Sequence, residues 1–217
     1  MQKIELIMTD HPPHPYSYKK MGLSLRRILL KILLFIAMFI LAFHLPHFAN
    51  RIQCLTDGIG TREETIHEIL TVLERYPTGL ANVTKEELAE VIYEEATRYN
   101  HDPKFILALI AIESSFQNWS VSEKGAKGLM QIMPYVAESL AQEMGIEWSG
   151  DRTLFNPFLN IRMGIYYLSH LILDFHDMGI ALTAYNYGPT YVKSLMERNQ
   201  SIPVQYYSRI LTVYQTL

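Results

Sequence analysis

Glu113 follows an unbroken apolar run in "LALIAIES" (107–114) and is the only ionisable residue of that stretch. At about 100° per residue, Ile106, Leu109, Ile110, Glu113 and Phe116 share one helical face, with Glu113 near its middle. A carboxylate facing a core loses hydration, so its protonated form is favoured and its pKa rises. That property suits a general acid working near neutral pH. The spacing also allows two plainer arrangements: a core ion pair with Arg or Lys, or a carboxylate that reaches water because the helix ends there. Two other segments hold residues of chemical interest. In "SEKGAKGLMQIMP" (122–134), Gly125 and Gly128 would let backbone or ligand come close, and Gln131 stands between Met130 and Ile132. In "LTAYNYGP" (182–189), Tyr185 and Asn186 precede a Gly188-Pro189 stop. Singly, these read as a glycine loop and as aromatic packing at a helix end.

Metal chemistry finds little support. The eight histidines form no HExxH motif or Cys/His framework, and His170 and His176 are six apart on a helix and share no face. No cofactor motif stands out, and Cys54 alone cannot form an internal disulfide.

Local signals predict the helices that must carry these residues. Thr61 and Glu64 make a capping-box pattern after Thr56-Asp57-Gly58-Ile59-Gly60. It opens a short helix with Ile66, Ile69, Leu70 and Leu73 on one stripe, either a linker or the start of the domain. Thr84 and Glu87 repeat the pattern before Leu88, Val91, Ile92, Ala96 and Tyr99. Asp102 caps the helix of Glu113, with Pro103 at its first position. Further helices are expected from Pro134, over 160–176, 179–187 and 189–198, and from Pro203 onward. Apart from the short "WSVS", no alternating pattern competes. The part after residue 81 therefore reads as a mainly helical domain of about 135 residues, large enough to bury its own core.

The N-terminal part differs. Residues 28–43, "ILLKILLFIAMFILAF", carry Lys31 as their only charge, and 28–48 reach the roughly 17–25 apolar residues of a membrane span. Residues 1–31 hold six Lys/Arg against Glu5 and Asp10, a balance of +4; the whole chain is −3, so the remainder carries −7. Such flanking charge keeps an N-terminal tail in the cytoplasm and exports the chain beyond the span. An acidic exported part argues against nucleic acid as a partner. The expected organisation, preferred over a buried core helix or a cleaved signal peptide at the same place, is a tail over 1–27, an uncleaved single-pass transmembrane helix over 28–49, a linker with a short helix over 50–81, and the helical domain over 82–217.

Together the three segments are more specific than any one of them. Glu113-Ser114, then Gly125-x-x-Gly128-Leu129-Met130-Gln131-Ile132-Met133-Pro134, then Ala184-Tyr185-Asn186-x-Gly188, run in the order seen in lytic transglycosylases. With "YNHDPKFILALIAIES" and "NPFLNIRMGIYYL" beside them, the stretch from about Val91 to Leu211 resembles the soluble-lytic-transglycosylase-like catalytic domain. The resemblance implies a lysozyme-like helical fold that cleaves bacterial peptidoglycan without cofactor or metal; with the orientation read from charge, the domain is expected in the periplasm, tethered to the inner membrane. It makes Glu113 the sole catalytic acid and base. Ser122 then lies beside the reacting sugar, and Met130, Gln131 and Met133 form the cleft wall. Tyr185 and Asn186 orient the glutamate and contact substrate, the tyrosine hydroxyl bonding the carboxyl, and Tyr206 is a late cleft tyrosine. The sequence departs from the family at Ile202-Pro203, where a Glu-Thr pair is often found. Glu123 has no acidic counterpart in the family, and Glu143, Glu147 and Asp151 read as solvated charges. The implied product is a 1,6-anhydromuramyl end. The alternatives are a hydrolytic muramidase and a non-catalytic wall-binding component partnered with an envelope-spanning machine.

Overall fold

The computed structural model describes the backbone of residues 23–217 and the side chains of 27–38 and 61–217. The expected tail lies almost wholly outside the described residues, and the expected span at 28–49 lies partly outside them. Among the described residues, no helix is long and apolar enough to cross a membrane. The chain divides into two compact units, Met1–Asp57 and Gly58–Leu217. In the first, the described side chains from Ile28 to Met38 are exposed, including Leu33, Leu34 and Phe35.

Helix α1 is Leu23–Glu74, so Thr61 and Glu64 lie inside it and not at a start. Gly58 and Gly60 do not interrupt it; a glycine costs a helix only about 1 kcal/mol relative to alanine. Near the end of α1, Ile69, Val72 and Leu73 are buried in the core of the second unit, with Ile66 and Leu70 packed against it.

The other helices begin where local chemistry satisfies their free amides. At α2 (Lys85–Arg98), Thr84 and Glu87 complete a reciprocal capping box. At α3 (Pro103–Ser114), Asp102 accepts from the Lys104 amide at 2.9 Å. Helix α4 (Pro134–Glu143) starts on a proline. A single turn, α5 (Asp151–Leu154), is too short to have left a periodic pattern. Asn156 caps α6 (Pro157–Phe175), and Asp177 caps α7 (Met178–Tyr187). Gly188, at φ +92°, separates α7 from α8 (Pro189–Glu197), and α9 is Gln205–Thr216. The "WSVS" segment makes no strand; Lys127 forms isolated bridges with Val121 and Ile132.

Helix α3 is the central element. Ile106, Leu107, Ala108, Leu109 and Ile110 are all buried, and full burial of such aliphatic side chains is worth about 1.5–3 kcal/mol each. It packs against α2 and α9, while α6 packs against α2, α4, α5 and α7. Helix α9 is tied to both ends of α3 in antiparallel fashion. The Tyr214 hydroxyl donates to Asp102 Oδ2 at 2.6 Å, and the Tyr206 hydroxyl donates to Glu113 Oε1. Helix α3 stops after Ser114 because Ser115 and Phe116 both adopt positive φ, at 50° and 62°. Phe116 is therefore not a helical neighbour of Glu113, although its ring is fully buried, 4.5 Å from that of Tyr76. Consecutive left-handed residues without glycine are uncommon, and such strain concentrates at functional sites.

Candidate active site

Ser114 holds the end of α3 against the glycine loop through one bond, to the Leu129 carbonyl. The Ser114 hydroxyl is within reach of the Ile110 carbonyl at 3.2 Å and the Leu129 carbonyl at 2.8 Å. Within the loop, the Ser122 amide donates to the Ala126 carbonyl, and the Ala126 amide returns a bond to Ser122 Oγ, both at 2.9 Å. The two glycines act for different reasons. Gly125, at φ +87°, has open space around it and serves backbone conformation alone. Gly128, at φ +82°, also lies where a Cβ would sit 2.6 Å from the Leu154 carbonyl oxygen.

Asn160 fastens this loop from α6. Fully buried, it accepts from the Met130 amide at 2.8 Å and donates to the Lys127 and Leu154 carbonyls, each at 3.0 Å. Gln131, at φ 48°, donates its carboxamide to the Ser120 carbonyl at 3.1 Å and the Gly128 carbonyl at 2.8 Å.

These constraints open a cavity of about 410 Å3 in which Glu113 faces Ser122, Gln131, Met133, Tyr185 and Asn186. Two expected wall residues are elsewhere. Met130 is fully buried beneath the site, against Gly164, where a Cβ would stand 2.7 Å from that of Met130. Positive φ at Gly128 and Gln131 turns the chain between Lys127 and Ile132, and Met130 is buried while Met133 lines the cavity. Tyr206 is also buried and does not line the cavity; it supports Glu113 from behind. The partner of the carboxyl is thus Tyr206 and not Tyr185, whose hydroxyl donates to the Met130 carbonyl at 2.8 Å. Glu123 and Lys124 line the cavity as well.

Glu113 is half-buried and makes no ion pair among the described residues. Burial pushes its pKa up to about 7, against smaller downward pulls from the Tyr206 hydrogen bond and the Arg209 charge. Glu95 provides the contrast. Almost fully buried, it is met by Arg162 Nε at 3.1 Å and Arg98 Nε at 3.3 Å, so its charge is matched and its place is structural. Tyr185 and Tyr206 are held well above the usual phenol range, first by burial and then by the Glu113 charge, so both stay protonated as donors. A carboxyl poised near neutrality can both give and take a proton during one reaction.

The family model described as the Transglycosylase SLT domain matches residues 90–207, more than half of the chain. The chain belongs to that family. A membrane-bound lytic murein transglycosylase C from Photorhabdus laumondii is 27% identical over 183 residues, covering 79% of this chain and 51% of the relative. One of the same name from Actinobacillus pleuropneumoniae is 31% identical over 121 residues, 51% of this chain and 33% of the relative. The chain thus spans about half, or less, of the curated relatives it matches. Among solved structures, the 70-kDa soluble lytic transglycosylase of Escherichia coli superposes with a TM-score of 0.52 at 25% identity, covering 59% of this chain and 25% of that one. The mainly helical, lysozyme-like fold of the SLT family is therefore that of this chain.

Within the SLT domain, sequence reasoning missed Asn160 and the true partner of Glu113. A lone Asn on the buried face of α6 was the available signal for the first, since a buried amide must find partners. The pairing with Tyr206 gives a signed prediction. Tyr206→Phe removes a bond that favours the ionised carboxyl, so the Glu113 pKa rises further and any limb of the pH–rate profile that reports its deprotonation moves to higher pH. The profile of kcat/KM for wild type and variant checks this; an unmoved limb would mean that the bond does not set the titration.

Proposed function

We propose that this chain is a membrane-anchored peptidoglycan lytic transglycosylase with Glu113 as its only acid and base. The observation that carries the reading is a half-buried carboxyl, pushed up to about 7, that makes no ion pair among the described residues and faces a cavity. Membership of the SLT family and the names of its relatives support the reaction class. Protonated Glu113 gives its proton to the oxygen linking N-acetylmuramic acid to N-acetylglucosamine, and the bond from that oxygen to the muramyl C1 breaks. The muramyl N-acetyl group stabilises the positive C1. Ionised Glu113 then takes the proton of the muramyl C6 hydroxyl as O6 bonds to C1. The ring closes as a 1,6-anhydro end, no water is consumed, and Glu113 regains its starting proton. Ser122, Gln131, Met133, Tyr185 and Asn186 hold the sugars against the carboxyl, with Tyr206 fixing its orientation.

The organisation proposed is the tail over 1–27, the anchor over 28–49, the linker over 50–81 and the periplasmic domain over 82–217. Exposed aliphatic side chains from Ile28 onward support the anchor, as do relatives named membrane-bound. Work on the wall close to the inner membrane suits a partnership with an envelope-spanning machine.

One observation favours a hydrolytic reading: Glu123, exposed and solvated, lines the same cavity as Glu113. Two carboxylates flanking a glycosidic bond are the usual apparatus of hydrolysis. Mass spectrometry of the products released from purified sacculi separates the two reactions. Anhydromuramyl ends, lighter by one water than reducing ends, are expected; reducing ends would establish the muramidase in their place.

A further inference from the structure

Two exposed tyrosines line the cleft and a third stands beside one of them. Tyr135 is 69% exposed, Tyr187 45% and Tyr191 48%, so none of them serves the core. Each comes from a different helix: Tyr135 from the first turn of α4, Tyr187 from the end of α7, and Tyr191 from the first turn of α8. Pro134 and the Gly188-Pro189 stop fix the starts of α4 and α8, so the backbone carrying these rings is set before any ligand arrives. The rings of Tyr187 and Tyr191 lie 5.9 Å apart at 44°. Tyr135 and Tyr187 line a second cavity of about 160 Å3. That cavity shares five lining residues with the one around Glu113: Lys124, Gln131, Met133, Tyr185 and Asn186. The two are therefore consecutive stretches of one cleft, and whatever chain passes Glu113 in this direction runs onto the tyrosines.

Single exposed apolar residues are ordinary, but a contiguous aromatic patch on the rim of a cavity marks a binding surface. Tyrosine suits a ligand with an apolar face and a polar edge, because its ring supplies contact area and its hydroxyl stays in water. A pyranose ring has that form: axial C–H groups on its faces and hydroxyl or acetamido groups on its rim. We propose that Tyr135, Tyr187 and Tyr191 form an aromatic platform that stacks against a sugar of the glycan strand beyond the cavity of Glu113. This inference rests on reading the cleft as a glycan site. Because the rings stand outside the lining of the Glu113 cavity, the platform holds the strand and takes no part in proton transfer.

The test titrates the full chain carrying Glu113→Gln with an N-acetylglucosamine hexamer by calorimetry, alone and with paired changes at 135 and 187. Tyr135→Ala with Tyr187→Ala is expected to weaken hexamer binding about tenfold, the loss of about two aromatic contacts. Tyr135→Phe with Tyr187→Phe keeps the ring faces and is expected to stay within about threefold of the parent. An alanine pair within twofold of the parent overturns the platform, and a phenylalanine pair as weak as the alanine pair assigns the grip to the hydroxyls and overturns stacking. Should the Glu113→Gln parent fail to bind the hexamer at all, the glycan reading of the whole cleft falls and the platform with it.

Discussion

Glu113→Gln is expected to lower turnover of peptidoglycan by about a thousandfold or more, because in the proposed mechanism one carboxyl serves as acid in the first step and base in the second, and each role contributes about a hundredfold or more. Glutamine keeps the size of the side chain and an oxygen that accepts from Tyr206, so binding should stay within about threefold. Loss of rate without loss of affinity separates chemistry from a collapsed site. The same change has a consequence for stability whose sign comes from the titration. The folded pKa of about 7 lies above the ordinary 4.5. Between those values the unfolded chain has released a proton that the folded chain still holds, so stability falls as pH rises from about 4.5 to about 7. Above that window the cost of the buried charge reaches about 3 kcal/mol at most. The glutamine variant should therefore melt above wild type at pH 8, and the gap should close towards pH 4. An unchanged rate would remove Glu113 from the chemistry; a variant melting no higher at pH 8 would mean that the carboxylate is not costly there.

Asn160→Ala should destabilise the fold by about 3–5 kcal/mol, because it strips partners from three backbone groups in a dry setting. For a domain of this size that corresponds to a melting point lower by about 10 °C or more. Asn160→Asp should not rescue it, since the carboxylate keeps the acceptor for the Met130 amide but faces the Lys127 and Leu154 carbonyls with an oxygen. Because the asparagine fastens the loop that carries Gln131 and Met133, surviving protein should show a raised KM for glycan. Thermal unfolding followed by circular dichroism measures the first effect. A melting point within about 2 °C of wild type would show that the loop does not depend on Asn160.

The legible parts of this fold were those fixed by neighbours in sequence. Thr84 and Glu87, Asp102 with Pro103, and Pro134 each set a helix start within one turn, and the structure begins helices at those places. The break read at 56–60 was not legible in the same way, because glycine weakens a helix without ending it. The site divided along the same line. The family resemblance pointed to Glu113, Ser122, Gln131, Met133, Tyr185 and Asn186, and these six line one cavity. Met130 went to the core inside a tight turn between Lys127 and Ile132, where Gly128 and Gln131 both take positive φ, which no periodicity records. The partner of Glu113 lies 93 positions away, and which tyrosine reaches it depends on how α9 docks along α3. That docking is a long-range outcome of packing, with no local sequence signal.

The proposed mechanism turns on one carboxyl that exchanges its proton near neutral pH while facing the cavity. Titrating the side-chain carboxyl carbon of Glu113 by NMR, in the folded protein with carbon-13-labelled glutamate assigned through Glu113→Gln, measures that property itself. The expected apparent pKa is about 7, rising in the Tyr206→Phe protein. A midpoint near the ordinary 4.5 in both proteins would contradict this mechanism, leaving Glu113 ionised at working pH and without a proton to give.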